Sequence, residues 1–223
     1  MRFSDRADAG RLLGLRLAET AWVNPVIYAL PRGGVPVGLE VAKALNAPLD
    51  LLLVRKIGVP WQKELAAASV IDGDQPDIVF NENVLQMAGL ARDQILQAAK
   101  PELREIERRR MLYLKGQAPI SAKGRDAILV DDGIATGASL RAAIISVRKR
   151  NPLRVIVAAP VASIDTVQDL RRHTDEVICL LTPSDFYAIG PYYDDFHQLS
   201  DQEVVDLLKQ KPGTEEAANV SAT

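Results

Sequence analysis

The chain has one cysteine, Cys179, and two histidines, His173 and His197, among its 223 residues. A single thiol closes no internal disulfide and builds no multi-thiolate zinc site, so a disulfide scaffold and a zinc finger are excluded and a reducing cytoplasm is the expected compartment. Two scattered histidines support neither a metal site nor a catalytic triad, and a surface or interface role is the default for each. Charge of one sign is lacking too: 27 Lys+Arg against 29 Asp+Glu leave a formal net charge of -2, which gives no whole-molecule pull toward nucleic acid or an anionic membrane. The longest apolar stretch, around Val155 to Ile164, is about half the roughly 20 residues that a bilayer span needs. The N-terminus opens with Arg2, Asp5, Arg6 and Asp8 rather than an apolar core, so neither a membrane span nor a signal peptide is expected.

What is present is ordinary for a globular domain: 48% hydrophobic and 25% charged residues. Five short apolar runs, Val26 to Leu30, Leu49 to Val54, Ala127 to Val130, Arg154 to Ala159 and Glu176 to Leu181, read as strands. Each is nearly continuous in Val, Ile, Leu and Ala rather than alternating with polar residues, the pattern of parallel strands covered on both faces. Helix-like segments follow the first, third and fourth runs, at Val35 to Leu45, Gly137 to Arg150 and Ser163 to His173. The repetition predicts an α/β fold, an open parallel sheet with helices on both faces, whose ligands bind at the carboxyl ends of the strands.

Two regions stand outside that repeat. Ala66 to Phe80 reads as a strand pair around Asp72-Gly73-Asp74, and Asn81 to Gly116 as helices, with Pro101 at a first turn or a kink. Together they predict a helical insertion, residues 75–124, between the second and third strands. Glu105 and Arg109 stand four apart, so the charged run Glu102 to Arg110 reads as a solvated helix face rather than an RNA contact. Residues 1–210 are read as one domain, with a hood at about 182–200, and residues 211–223 as a disordered tail. Cys179, in a predicted buried strand, is read as a small apolar filler.

The stretch Ile128-Leu129-Val130-Asp131-Asp132-Gly133-Ile134-Ala135-Thr136-Gly137-Ala138-Ser139 carries the most chemistry. An apolar strand delivers two adjacent carboxylates into a Gly, Thr and Ser loop that opens a helix. Glycines let successive amides converge, the helix start supplies free N–H groups and a positive dipole end, and Thr136 and Ser139 add hydroxyls, so the loop suits a phosphate. Asp131 and Asp132 would repel that phosphate in contact, so they face hydroxyls or a divalent cation. On residues alone, an acid pair that merely caps the helix stays open.

This pattern resembles the ribose 5-phosphate motif of type I phosphoribosyltransferases, which use phosphoribosyl pyrophosphate. The resemblance implies that Asp131 and Asp132 hold the ribose 2- and 3-hydroxyls and that Gly133, Ile134, Ala135, Thr136, Gly137, Ala138 and Ser139 wrap the 5-phosphate. Pro31-Arg32-Gly33-Gly34, directly after the first strand, resembles the family's pyrophosphate loop. By that likeness Arg32, Gly33 and Gly34 bind pyrophosphate across a cis peptide between Pro31 and Arg32. Val54-Arg55-Lys56 at the end of strand two resembles the basic strand of adenine enzymes, which gives Arg55 and Lys56 as further cations for pyrophosphate. Ile57 to Leu65, with Lys63 and Glu64, would then be the mobile catalytic loop.

Beyond the last strand, Leu181 to Phe196 concentrates aromatics in a chain with 5% aromatic residues, and the family's acceptor hood lies there, which makes Phe186 and Tyr187 candidates for base contact. The bland reading of these rings is core closure or a subunit interface. The implied reaction is displacement of pyrophosphate from phosphoribosyl pyrophosphate by a nitrogenous base, as in nucleotide salvage. Arg32, Arg55, Lys56, Asp131 and Asp132 are its catalytic set. The resemblance further implies Mg²⁺ held mainly by substrate, with Asp131 and Asp132 as candidate protein ligands, and a dimer. Ala135 stands where 6-oxopurine enzymes carry an acid, which argues against a simple 6-oxopurine acceptor. A phosphoribosyl pyrophosphate-binding regulator on the same fold is the alternative. A receiver-like or phosphatase domain leaves the Thr-Gly-x-Ser loop unexplained.

Overall fold

The computed structural model describes residues 2–73 and 76–212, with the backbone alone at Lys63 and Glu64. In chain order the elements are α1 (Arg6–Ala18), β1 (Val26–Ala29), α2 (Gly34–Ala44), β2 (Leu49–Leu51), β3 (Val54–Val59), β4 (Gln62–Ile71), β5 (Asp77–Phe80), α3 (Glu82–Ala88) and α4 (Arg92–Leu114). Then come β6 (Asp126–Val130), α5 (Ala138–Arg148), β7 (Arg154–Val161), α6 (Ile164–Leu170), β8 (Glu176–Leu181), a 3-10 turn (Gly190–Tyr192) and α7 (Asp201–Leu208).

The five apolar runs build one parallel sheet in the order β2-β1-β6-β7-β8, as their continuous hydrophobicity predicts. Side-chain alternation divides the core between its two faces. Ile27, Ala29, Ile128, Val130, Ile156 and Ala158 pack with Leu13 and Leu17 of α1, Val37 and Val41 of α2, and Val204 and Leu208 of α7. Val26, Tyr28, Ala127, Leu129, Val155 and Val157 pack with Leu140, Ile144 and Val147 of α5 and Val167 and Leu170 of α6. Neither α1 nor α7 is read from the sequence. Among the described residues, no helix is long and apolar enough to cross a membrane.

Between β2 and β6 the structure corrects the sequence reading. The run Leu49 to Val54 is not one strand: β2 ends at Leu51, and Val54-Arg55-Lys56 opens β3 of a separate antiparallel sheet, β3-β4-β5. Ile57 to Leu65 is not a loop but the far end of the β3–β4 hairpin, with Gly58 opposite Ala66 and Val59 opposite Gln62. The insertion is therefore a three-stranded sheet, which adds β3 to the expected strand pair, followed by the helices expected from Asn81. An unbroken apolar run cannot mark where one buried strand yields to the next, because both sides of the break are equally apolar. The strand pair over Ala66 to Phe80 is present as β4 and β5, while Asp74 of its turn lies outside the described residues.

Buried charge fixes this second sheet to the first. Arg110 of α4 reaches Asp72 at the end of β4 (2.6 Å) and Asp50 of β2 (3.4 Å), and Asp50 also accepts from the backbone N–H of Ile120 (2.7 Å). Pro101 lies inside α4, which runs on through it, rather than at a first turn. Arg109 pairs with Glu105 at 2.7 Å, the spacing-based expectation. The fourth-run helix is shorter than read, with Ser163 as its N-cap. Cys179 lies half-buried on the edge strand β8, where burial pushes its thiol up to about 11 and Sγ meets the Leu181 carbonyl at 3.2 Å. The expected disordered tail lies, from residue 213, outside the described residues.

Candidate active site

The loop after β6 is built by its neighbours on β7 and α6. Ile134 donates its N–H to the Val161 carbonyl (2.8 Å), and the Thr166 hydroxyl donates to the Ala135 carbonyl (2.6 Å). With that side of the loop tied down, Gly137 turns the chain at φ 66°, where a Cβ would be strained and would stand 2.9 Å from Thr166. The first α5 amides that follow have no intrahelical acceptor and so can serve an anion. Asp131, Gly133, Ile134, Ala135, Thr136, Gly137, Ala138, Ser139 and Leu140 line one cavity of about 120 Å³. Lys56 reaches the same cavity from the second sheet. The structure thus brings the anticipated phosphate loop, one carboxylate and one cation to a single place.

Asp132 does not line that cavity. Its Oδ2 accepts from Arg6 Nε at 2.7 Å, with the two side chains 12% and 9% exposed. Burial and the neighbouring Asp132 charge push the Asp131 carboxyl well above the usual range, while Asp131 Oδ1 accepts from the Asp132 backbone N–H (2.9 Å). The two acids, adjacent in sequence, have different neighbours. Against Asp132 lies Gly33, where an added Cβ would be 2.0 Å from Asp132 Oδ2, so the glycine is required by the acid pair itself. The Pro31–Arg32 peptide is cis, matching the expectation.

The remaining predicted cations are held by acids of the accessory elements. Arg32 lies 3.6 Å from Asp201 at the start of α7, and Asp201 accepts from the Tyr113 hydroxyl at 2.5 Å. That hydrogen bond, with nearby arginines, holds the Asp201 carboxyl below its ordinary range, while burial and Asp201 push Tyr113 up to about 12. Arg55 pairs with Glu102 of α4 at 2.7 Å. The side chains of Lys63 and Glu64 lie outside the described residues.

The hood forms against the chain's beginning. Phe3 bridges Tyr193 in parallel, and its N–H donates to the Tyr192 carbonyl (2.8 Å). Tyr193 donates its hydroxyl to the Asp132 carbonyl (2.5 Å), and Ile189 packs directly on Gly133. Phe186 stacks on Tyr192, ring centroids 5.9 Å apart, within the hood's small core, so its ring serves hood packing. Tyr187 is 91% exposed. His197 sits between Asp195 and Glu203, each at 2.9 Å, and these two hydrogen bonds raise its pKa; His173 ends the α6 turn.

Arg6, Tyr193, Asp201 and Glu102 were not singled out from the sequence. One signal was available for Arg6. It occupies the buried stripe of α1 with Ala9, Gly10, Leu13 and Leu17, and an arginine on a core-facing stripe must have a buried partner. The other three depend on contacts far apart in sequence.

A family model described as phosphoribosyl transferase domain matches residues 7–197. Two Mycobacterium tuberculosis proteins that carry the provisional name phosphoribosyl transferase, Rv0571c (strain H37Rv) and MT0597 (strain CDC 1551), are each 44% identical over 206 residues, 92% of this chain. This chain spans 46% of the length of each. The crystal structure of TT1426 from Thermus thermophilus is 40% identical with a TM-score of 0.84, covering 96% of this chain and all of that one.

Proposed function

Since the chain belongs to the phosphoribosyl transferase domain family, we propose that it transfers the 5-phosphoribosyl group from phosphoribosyl pyrophosphate to a nitrogenous base, releasing pyrophosphate. One observation carries the reading: Asp131, Lys56 and the loop from Gly133 to Ser139 line a single cavity. A sugar phosphate needs amide and hydroxyl donors around its ester and a carboxylate acceptor for its ring hydroxyls, and that wall offers both.

In this reading the 5-phosphate sits on the start of α5, and Asp131 accepts hydrogen bonds from the ribose. Lys56 and Arg32 meet the pyrophosphate. The bond from C1 to pyrophosphate loosens as the base nitrogen approaches, leaving positive charge on the ribose. Catalysis comes from positioning and from stabilising the departing anion. Asp131 is a hard oxygen donor on the cavity wall and fits Mg²⁺ arriving with the substrate, where the ion would neutralise the pyrophosphate charge. Tyr187, with its exposed ring, is the hood residue offered to a planar acceptor.

The test is pyrophosphate release on incubating the protein with Mg²⁺, phosphoribosyl pyrophosphate and a panel of purine, pyrimidine and pyridine bases. Release with one acceptor class is the expected result. Tight binding of ribose 5-phosphate with silence across the panel would replace the enzyme by a ligand-binding regulator, and no binding at all would remove the reading.

A further inference from the structure

Helix α4 brings charge to the loop after β1. Glu102, Glu105, Arg109 and Tyr113 fall three or four residues apart along it, so they share one side of the helix. Glu102 takes Arg55 at 2.7 Å, and Tyr113 donates to Asp201 Oδ1 at 2.5 Å. Asp201 also stands between two arginines: Arg32 Nη1 is 3.6 Å from its Oδ1, and Arg108 Nη2 is 3.6 Å from its Oδ2. Glu105 aims Arg108, whose Nε and Nη2 donate to it at 2.8 and 3.0 Å, and Arg109 donates to the same carboxylate at 2.7 Å. A carboxylate of the chain itself thus occupies the point where two guanidinium groups and a phenol converge.

Its hold on the arginines is weak. At 3.6 Å neither guanidinium makes a hydrogen bond to it, and with Asp201 32% and Arg108 53% exposed, water screens both pairs. Arg32, Arg108 and Arg109 against Asp201 and Glu105 also leave one positive charge in excess. A phosphate group carries more charge than a carboxylate and offers more oxygens, so it can take both guanidinium groups and the phenol together. Burial and Asp201 push Tyr113 up to about 12, which keeps its hydroxyl a donor at neutral pH.

Resting on the phosphoribosyl reading above, in which Arg32 meets pyrophosphate, we infer that Arg108 and Tyr113 of α4 complete with Arg32 a subsite for one of its phosphate groups, and that the Asp201 carboxylate fills this subsite until the ligand displaces it. Both α4 residues lie in the segment that stands outside the strand and helix repeat. The insertion then sets the affinity for the leaving group through Arg108 and Tyr113, and α7 opposes that affinity through Asp201.

Titration calorimetry of the full chain with pyrophosphate and Mg²⁺, and separately with ribose 5-phosphate, tests it, with folding of every variant checked by circular dichroism. Arg108→Gln should weaken pyrophosphate binding about fivefold, while Arg108→Lys, which keeps the charge, should stay within about threefold of the wild type. Tyr113→Phe removes one donor and should cost about threefold. Asp201→Asn should tighten binding, and Arg108→Gln added to it should abolish the gain, because the cation that the acid had masked is then gone. Ribose 5-phosphate has no pyrophosphate and should bind every variant as it binds the wild type, a selectivity that a merely structural role for α4 would not produce. The inference is overturned if Arg108→Gln and Tyr113→Phe leave pyrophosphate binding unchanged, if they weaken both ligands alike, or if Asp201→Asn fails to tighten it. A wild-type protein that binds neither ligand would instead remove the underlying reading.

Discussion

Replacing Gly33 by alanine isolates the contact between the loop after β1 and the acid pair after β6. Gly33 has φ -59° and ψ -36°, which alanine adopts freely, so the backbone raises no objection. By itself such a change stabilises by roughly 0.4–1 kcal/mol through the unfolded chain. The objection is steric: the new Cβ would stand 2.0 Å from Asp132 Oδ2 and 2.4 Å from its Cγ. Asp132 cannot simply rotate away, because Oδ2 is held by Arg6 at 2.7 Å in a buried setting. Overpacking of this kind costs roughly 1–3 kcal/mol, and losing a buried pair roughly 3–5 kcal/mol. Partial displacement lies between them, which after the backbone gain leaves a net loss of roughly 2–4 kcal/mol. For a chain of this size that corresponds to a fall in Tm of roughly 5–15 °C. Differential scanning calorimetry on Gly33→Ala in the wild type and in an Asp132→Ala background measures it as a double-mutant cycle. Without the carboxylate the alanine should be neutral or slightly stabilising. An equal penalty in both backgrounds, or a wild-type Tm unchanged within about 1 °C where 2–4 °C per kcal/mol is expected, would refute the reasoning.

Two further predictions concern charge. Burial pushes the Asp72 carboxyl up to about 6 from 3.8, despite Arg110 at 2.6 Å. Between those values the folded protein keeps a proton that the unfolded chain has released, so this group's contribution falls as pH rises from about 4 to about 6, by roughly 3 kcal/mol in all. Melting curves of the wild type and Asp72→Asn should therefore diverge across that window, the wild type losing ground as pH rises, and parallel curves would contradict the assignment. At the proposed pyrophosphate loop, Asp201→Asn keeps an acceptor for Tyr113 while removing a charge 3.6 Å from Arg32. Since a partly exposed pair is worth up to about 1 kcal/mol, pyrophosphate should bind roughly three- to fivefold more tightly to the variant by titration calorimetry. Weaker binding would mean that Asp201 orients Arg32 rather than competes for it.

Several parts of this protein were legible one residue at a time. Continuous apolar runs fixed the parallel sheet, because strands covered on both faces leave no polar positions. The Asp-Asp-Gly to Thr-Gly-x-Ser loop lies contiguous in sequence, so its chemistry and its place at a helix start could be seen together. The accessory elements were not legible in the same way. The break after Leu51 is invisible inside an apolar run, and β3 is defined by antiparallel pairing with β4 rather than by composition.

The amino-acid order alone therefore determined the sheet, the Gly, Thr and Ser loop that opens α5 and the family likeness, since each rests on local pattern or on contiguous residues. Only the tertiary structure decided which of two neighbouring aspartates lines the cavity. That outcome depends on Arg6, 126 positions away, on the glycine that leaves space beside Asp132, and on a hood tied to the chain's first residues. A side chain's role follows from the charge and volume around it, and those are supplied by segments that meet only when the chain folds.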